Sequence, residues 1–318
     1  MNKKYKYDVV IIGGGPAGLT AGLYSARDRL SSLLIEKGAI GGKITEAGRV
    51  DNYPGFPEGI SGLELTKLMD EQAKKYGLEE VFAEVTALEI KDGQKVVKTT
   101  EGNFIARAVI IAGGSERGKL GVPGEEGFTG RGVSYCATCD APFFADTPVA
   151  VVGGGNAALD EAKHLAKFAS QVSNLHRRYQ HRATAVVQEK AFAEPKIEFL
   201  LNTVVEAIEG KDSVQRLRLR QVTTGEKSAL RVAGVFIAVG LKPNTDYLKG
   251  ILPLDEQGHI IISERMQTKI PGIFAAGDIR SGSIRQTVAA CGDGATAALS
   301  AKKFINEEQV SSSPSVEV

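Results

Sequence analysis

Apolar and glycine-rich positions follow the same order twice along this chain. The first pass begins with a short apolar run at residues 7–12, continues through Gly13, Gly14, Gly15 and Gly18, and enters a stretch of helical periodicity reaching about Arg29. A second apolar run, LSSLLIE, ends at Glu36. Short β-branched runs without polar alternation predict parallel strands buried on both faces, and the glycines between them predict a tight turn opening a helix. Lys37 to Gly62 is rich in Gly and Pro and too long for a plain connector, which points to a binding segment. A helix is predicted near Leu63–Tyr76, a small antiparallel meander over Val81–Ala106, and a return to the parallel sheet in AVIIAGG.

The order then recurs. Residues 148–152 predict a strand, Gly153, Gly154 and Gly155 open a helix, and SQVSNLH predicts a strand ending at His176. A helix, a second meander at about Ile197–Leu230 and the strand GVFIAVG follow. Two similar α/β units in tandem are therefore expected. The segment from about Leu248 to Ile305 has a strand, GIFAAGD, and a long helix, but matches no third unit. It is expected to return and complete the first domain, and the tail from about residue 309 is expected to be disordered.

The repeated turn has a chemical use. In G-x-G-x-x-G between a strand and a helix, the glycines let the backbone approach a pyrophosphate, and the helix start presents N–H groups to it. Glu36 stands where an acid would hydrogen-bond a ribose hydroxyl. A bare strand–helix turn is the alternative. The interval from Gly13 to Glu36 equals that from Gly153 to His176, and there the acid gives way to HRRYQHRA. Arginine suits a ribose 2′-phosphate through bidentate charge-assisted bonds, so Arg177, Arg178 and Arg182 become candidates; a solvated basic loop is the alternative. The fold class expected is α/β with two Rossmann-like dinucleotide-binding domains, each a three-layer β/β/α arrangement.

Between the two fingerprints lies CATCD. Cys136 and Cys139 are spaced to close a small disulfide ring, in which a thiolate of lowered pKa attacks a partner disulfide and its neighbour resolves the mixed disulfide. Asp140 follows immediately and can carry a proton to the departing sulfur. Zinc would need further ligands, and the chain offers only Cys291 and four scattered histidines, so no metal is expected. Cys291 reads most simply as a small buried core residue, with a place near a flavin as the alternative.

Composition adds a few exclusions. A net charge of +1 gives no general attraction to nucleic acid or to an anionic membrane. The apolar run Val9–Ile12 is too short for a secretory signal and no stretch is long enough to span a bilayer, so a cytoplasmic location is expected.

Taken together, GGGPAG, VDNYPGFP, LGVPGE, GRGVSYCATCD, GGGNAALDEA, HRRYQHRA and GIFAAGDIRSGSIRQTVAACGDGA resemble the low-molecular-weight thioredoxin reductases over almost the full chain. The resemblance implies a homodimer with FAD and NADPH as cofactors and thioredoxin as partner. An NADPH domain at residues 119–246 would be inserted into an FAD domain formed by 1–118 and 247–318. Cys139 would face the flavin, Cys136 would attack thioredoxin, and Asp140 would serve as the acid. Gly13, Gly15, Pro16, Ala17, Gly18, Glu36, Gly42, Lys43, Asn52, Gly277, Asp278, Arg285 and Gln286 would hold FAD. Gly153, Gly155, Asn156, Ala157, His176, Arg177, Arg178 and Arg182 would hold NADPH. The chain departs from the family at Lys43, Gly113 and Ala157, where Gln, Thr and Ser or Thr are usual. Lys43 would either face solvent or place a cation near the flavin ring, favouring its reduced anionic form. A related flavin-dependent disulfide reductase or dithiol oxidase with another partner or donor is the alternative activity.

Overall fold

The computed structural model describes residues 4–91 and 93–312. The chain divides into two compact units, Met1–Glu116 with Lys242–Val318, and Arg117–Leu241. These breaks fall a few residues ahead of 118/119 and 246/247. Residue 244 belongs to the first unit because the Asn244 N–H donates to the Gly114 carbonyl (3.1 Å) and its Nδ2 to the Gly113 carbonyl (2.8 Å).

The first unit opens with β1 (Lys4–Ile12), α1 (Pro16–Arg27) and β2 (Ser32–Glu36). It continues through a single 3₁₀ turn (Gly42–Glu46), α2 (Gly62–Lys74), β3 (Glu79–Phe82), β4 (Val85–Lys91), β5 (Gln94–Thr99) and β6 (Gly102–Ile111). β3, β2, β1 and β6 lie side by side in parallel, while β4 and β5 fold back antiparallel on the first half of β6. Two expectations change here. Residues 79–82 are the edge of the parallel sheet rather than the start of the meander. The meander's last strand and the returning strand are one element, β6, because no Gly or Pro interrupts residues 103–111. Alternate side chains of the central strands face opposite cores: Val9, Ile11, Leu34 and Ile110 pack toward α1, and Val10, Ile12, Leu33 and Ile111 toward Leu88 and Val97 of the meander. Burial on both faces explains why these strands are apolar at every position.

The chain leaves through β7 (Ser115–Arg117). The second unit holds β8 (Val133–Ser134), α3 (Ala137–Asp140), β9 (Pro148–Val152), α4 (Asn156–Leu165), β10 (Gln171–His176), α5 (Ala185–Phe192) and β11 (Ile197–Leu201). It continues with β12 (Thr203–Gly210), β13 (Val214–Gln221), β14 (Lys227–Arg231) and β15 (Gly234–Ile237). A five-stranded parallel sheet runs β11-β10-β9-β15-β8, and β12–β14 form a separate antiparallel layer. β11 pairs with β10 as β3 pairs with β2, so it too belongs to the parallel sheet and not to the predicted meander.

β16 (Leu241–Pro243) pairs with β7 as the chain returns. β17 (Ile273–Ala275) then joins the second half of β6, and α6 (Thr287–Ser312) packs on α1. The crossing is tight: a methyl group on Gly294 would collide with the Ala17 carbonyl. α6 is helical through Ser312, past the point where the tail was expected to begin; residues 313–318 lie outside those described. Among the described residues no helix is long and apolar enough to cross a membrane.

Candidate functional site

Each unit builds the same turn from its first strand. The Gly13 N–H donates to the Ile35 carbonyl (2.8 Å), and the Gly153 N–H to the Leu175 carbonyl (3.0 Å). In the first turn Gly13 has φ +109°, and a methyl there would meet the Ala112 carbonyl at 2.5 Å; one on Gly18 would collide with the Gly13 carbonyl. These glycines are required by the fold itself. Gly15 and Gly155 are different. Each caps its helix with extended backbone and no side-chain cap, and a methyl on either meets no protein atom within 4 Å. The chain's own packing does not explain a glycine at these two positions. Close approach of a diphosphate to uncapped helix N–H groups does, so both turns fit a dinucleotide. Pro16 takes the first position of α1 and Ala17 packs under Gly277, whose own methyl would lie 3.0 Å from the Ala17 Cβ. Asn156 and Ala157 open α4 on its exposed side, where the Asn156 Oδ1 accepts the Thr184 N–H at 2.8 Å.

The residues expected to meet the riboses differ between the two units. The Glu36 carboxylate accepts the Gly14 N–H (2.7 Å) and the Gly38 N–H (2.8 Å), which fixes it at the edge of the first turn. In the second unit His176 is 5% exposed and its ring lies against Gly154, where any Cβ would collide with it. His176 is therefore a floor under the turn. Burial holds its imidazole below the ordinary value, and the neighbouring arginines add to that. Arg177, Arg178 and Arg182 are exposed, and among the described residues none of the three has a carboxylate partner. The Arg182 N–H donates to the Gly154 carbonyl (2.7 Å), bringing this loop to the turn.

Other predicted residues of the first unit converge from far apart in sequence. The Gly41 N–H donates to the Gly14 carbonyl (2.8 Å), and a methyl on Gly42 would lie 3.2 Å from the Gly15 Cα, so the 3₁₀ turn flanks the first cradle. Lys43 sits on this turn, half-buried, with its Nζ covered. The Asn52 Nδ2 donates to the Gln286 Oε1 (3.1 Å), joining the irregular segment to the start of α6. Arg285 adopts φ +58°, uncommon for a non-glycine residue, and its N–H is met by the Ser283 Oγ (3.2 Å). Ser283 also donates to the Asp278 Oδ1 (3.0 Å). Nearby, the Tyr53 hydroxyl donates to the Cys291 Sγ (3.7 Å), and burial together with that contact pushes its pKa up to about 12.

Sequence reasoning missed the supports of this loop. Arg280 makes a two-pronged bond to Asp293 (2.7 and 2.9 Å), and the same carboxylate accepts the Gly277 N–H (3.1 Å). The acid and base in GDIR and CGDG were visible, but nothing local paired them.

The dithiol is oxidised: Cys136 and Cys139 are joined, with Cα atoms 5.3 Å apart. Cys136 caps α3, and its Sγ accepts the Cys139 N–H (3.2 Å). Ser134, also unrecognised from sequence, organises the group. Its hydroxyl donates to the Asp140 Oδ2 (2.6 Å) and accepts the Cys136 N–H (3.1 Å). Behind the pair, the Tyr135 hydroxyl donates to buried Glu125 (2.8 Å), which also accepts the Leu120 and Gly121 N–H groups (3.0 and 2.7 Å). Among the described residues no three His, Cys, Asp or Glu side chains gather to hold a metal ion.

Two dinucleotide cradles and a bonded Cys-x-x-Cys define a nucleotide-linked disulfide oxidoreductase. The family model for pyridine nucleotide-disulphide oxidoreductases matches residues 7–294, and the chain belongs to that family. It is 46% identical over 312 residues to a thioredoxin reductase of Bacillus subtilis (strain 168), covering 97% of this chain and 98% of that protein. A thioredoxin reductase of Peptoclostridium acidaminophilum is 43% identical over 305 residues, covering 94% and 97% of the two. The crystal structure of thioredoxin reductase from Streptococcus pyogenes MGAS5005 is similar at a TM-score of 0.92 and 43% identity, covering 96% of this chain and 100% of that one.

Proposed function

We propose that this chain is an NADPH-dependent thioredoxin-disulfide reductase that uses FAD and the Cys136–Cys139 pair. The observation that carries the reading is the bonded, partly exposed dithiol with a tethered acid, in a chain that has two diphosphate cradles of opposite ribose charge.

Gly13, Gly15, Pro16, Ala17 and Gly18 hold the FAD diphosphate at the start of α1, and Glu36 accepts from the ribose hydroxyls through its remaining lone pairs. Gly42, Lys43, Asn52, Gly277, Asp278, Arg285 and Gln286 complete that site. Gly153, Gly155, Asn156 and Ala157 hold the NADPH diphosphate, His176 supports the turn, and Arg177, Arg178 and Arg182 hold the 2′-phosphate. The unit Arg117–Leu241, within a few residues of the expected 119–246, acts as the NADPH domain, and Met1–Glu116 with Lys242–Val318 as the FAD domain. Bound FAD supplies the two-electron relay between the nicotinamide and the disulfide, which is reduced to two thiols.

The Cys136 thiolate, which the Cys139 N–H faces, attacks one sulfur of the thioredoxin disulfide. The other thioredoxin sulfur leaves and takes a proton carried by Asp140, which Ser134 holds in place. Cys139 then passes its proton to the Asp140 carboxylate, attacks the Cys136 sulfur, restores the ring and releases the second thioredoxin thiolate. The protein works as a cytoplasmic homodimer.

The order of attack is testable by trapping. With thioredoxin whose reactive cysteine carries an activating thionitrobenzoate group, Cys139→Ser should form a stable mixed disulfide through Cys136, and Cys136→Ser should not. Trapping by Cys136→Ser alone would reverse the two sulfur roles, and failure of both would remove thioredoxin as the partner.

A further inference from the structure

Asn174 is fully buried in the middle of β10, a strand with parallel neighbours on both sides. Aligning Gly13 with Gly153 aligns Leu34 with Asn174. Leu34 lies beside Ile11 in the first unit as Asn174 lies beside Val151 in the second, and Leu34 is ordinary apolar core. The fold therefore does not need a polar side chain here, and burying one is costly unless all its bonds are made. Asn174 makes them. Its Nδ2 faces two carbonyls, Val151 (3.4 Å) and Gly153 (3.2 Å), the latter belonging to the glycine turn. Carbonyls only accept, so the amide oxygen faces away from them, and there it meets the His181 Nε2 at 2.8 Å. That geometry requires the His181 tautomer with its proton on Nε2.

His181 lies inside HRRYQHRA. It is 5% exposed, whereas residues 177–180 before it and Arg182 after it are exposed. Its ring stacks on His176 (centroids 5.4 Å apart, planes 14° apart) and meets the edge of Phe199 at 5.5 Å. The loop carrying three arginines is thus pinned at three points: the Asn202 N–H on the Arg178 carbonyl (3.1 Å), the His181 ring on Asn174, and the Arg182 N–H on the Gly154 carbonyl (2.7 Å). Three like charges repel one another, and a loop that crowds them needs anchoring before an anion arrives. Holding it in place beforehand removes an ordering cost from binding.

We propose that the buried Asn174–His181 pair is a positioning device that fixes the arginine loop against the second glycine turn and so sets the preference for a 2′-phosphorylated nicotinamide dinucleotide. This rests on the assignment of the second cradle to NADPH. The pair touches no ligand itself. It acts chiefly on the 2′-phosphate, because the glycine turn that meets the diphosphate is held, beside the Asn174–Gly153 bond, by the Arg182–Gly154 and Gly153–Leu175 backbone bonds.

The test uses the purified holoenzyme and two small probes, adenosine 2′,5′-bisphosphate and AMP, which differ only in the 2′-phosphate. Affinities are measured by calorimetry for the wild type and for the double variant Asn174→Leu/His181→Phe, which removes both polar side chains of the pair together. The wild type should bind the bisphosphate more tightly. The double variant should lose about tenfold of that preference, roughly the cost of immobilising one long side chain, with AMP affinity and kcat at saturating NADPH unchanged. His181→Gln, which can still donate to Asn174, should keep the preference. If the double variant does not fold, His181→Phe alone carries the same prediction, since the two Asn174 bonds to backbone remain. A wild type indifferent to the 2′-phosphate would overturn the NADPH assignment itself. A wild type that discriminates beside a double variant that does so equally, a loss shared equally by AMP, or a loss in His181→Gln would overturn the positioning role.

Discussion

A methyl group at residue 155 separates the stability of the fold from the affinity for its ligand. Gly155 has φ −97° and ψ −179°, which any L-residue adopts, and a methyl there meets no protein atom within 4 Å. Gly155→Ala therefore introduces no clash. Its gain from restricting the unfolded chain, about 0.4–1 kcal/mol, is offset by a small loss of capping preference, so net stability stays within about 1 kcal/mol of the wild type. For a chain of this size that is a shift in Tm of roughly 2–4 °C at most. The ligand fares differently. A diphosphate must approach the backbone where the methyl now stands, and overpacking of that kind costs about 1–3 kcal/mol, or about 5- to 150-fold in affinity. Gly153→Ala is the counterpart, since its methyl would collide with the Ala238 carbonyl and lie 2.7 Å from the Ala158 Cβ. It should lower Tm whether or not a nucleotide is present. The assay pairs thermal melting with the KM for NADPH. A Gly155→Ala variant with unchanged KM, or one that melts several degrees lower, would refute the argument that this glycine serves a ligand.

Other consequences follow from the supports of the site. Ser134→Ala removes the hydroxyl shared by Asp140 and the Cys136 N–H, so kcat with thioredoxin should fall about 10- to 100-fold while the KM for NADPH holds, and Ser134→Thr should restore it; equal rates in all three would show that Asp140 needs no such tether. Arg280→Leu leaves the largely buried Asp293 carboxylate without its cation and should cost about 3–5 kcal/mol, read as a lower Tm and easier loss of FAD on dialysis. Burial depresses the His176 and His181 pKa values, so below about pH 6.5 the unfolded chain takes up protons that the folded chain does not. The stability this contributes is complete above that pH and declines as pH falls below it. Tm should therefore drop from about pH 7 to pH 5, and drop less in His181→Phe, which has one such group fewer; identical slopes would contradict the assignment.

What the sequence revealed was what repeats or lies within a few residues. The equal spacing of Gly13–Glu36 and Gly153–His176 was legible because the strand–turn–helix unit is local, and CATCD because its chemistry needs only adjacent sulfurs. The same repeat could have placed β3 and β11 correctly, since each follows a helix in the same order as its counterpart. A strand of four or five residues such as EEVF or IEFLL is too short for its polar and apolar pattern to tell a parallel edge from an antiparallel meander. Asn52 and Gln286 came only through resemblance, because no periodicity links residues brought together by the return of α6. Ser134, Glu125, Asn174 and the Arg280–Asp293 pair escaped altogether. Each is a polar residue whose meaning lies in a partner, and burial, the property that makes the partner obligatory, is not written at its own position.

The central claim is that electrons from NADPH reach the sulfur pair. An anaerobic titration of the FAD-loaded protein with NADPH, followed through the flavin absorbance, tests it most directly. Wild type should consume two electrons beyond the flavin's own two before NADPH accumulates, and the Cys136→Ser/Cys139→Ser variant should consume only the flavin's two. Identical end points for the two proteins would contradict the account.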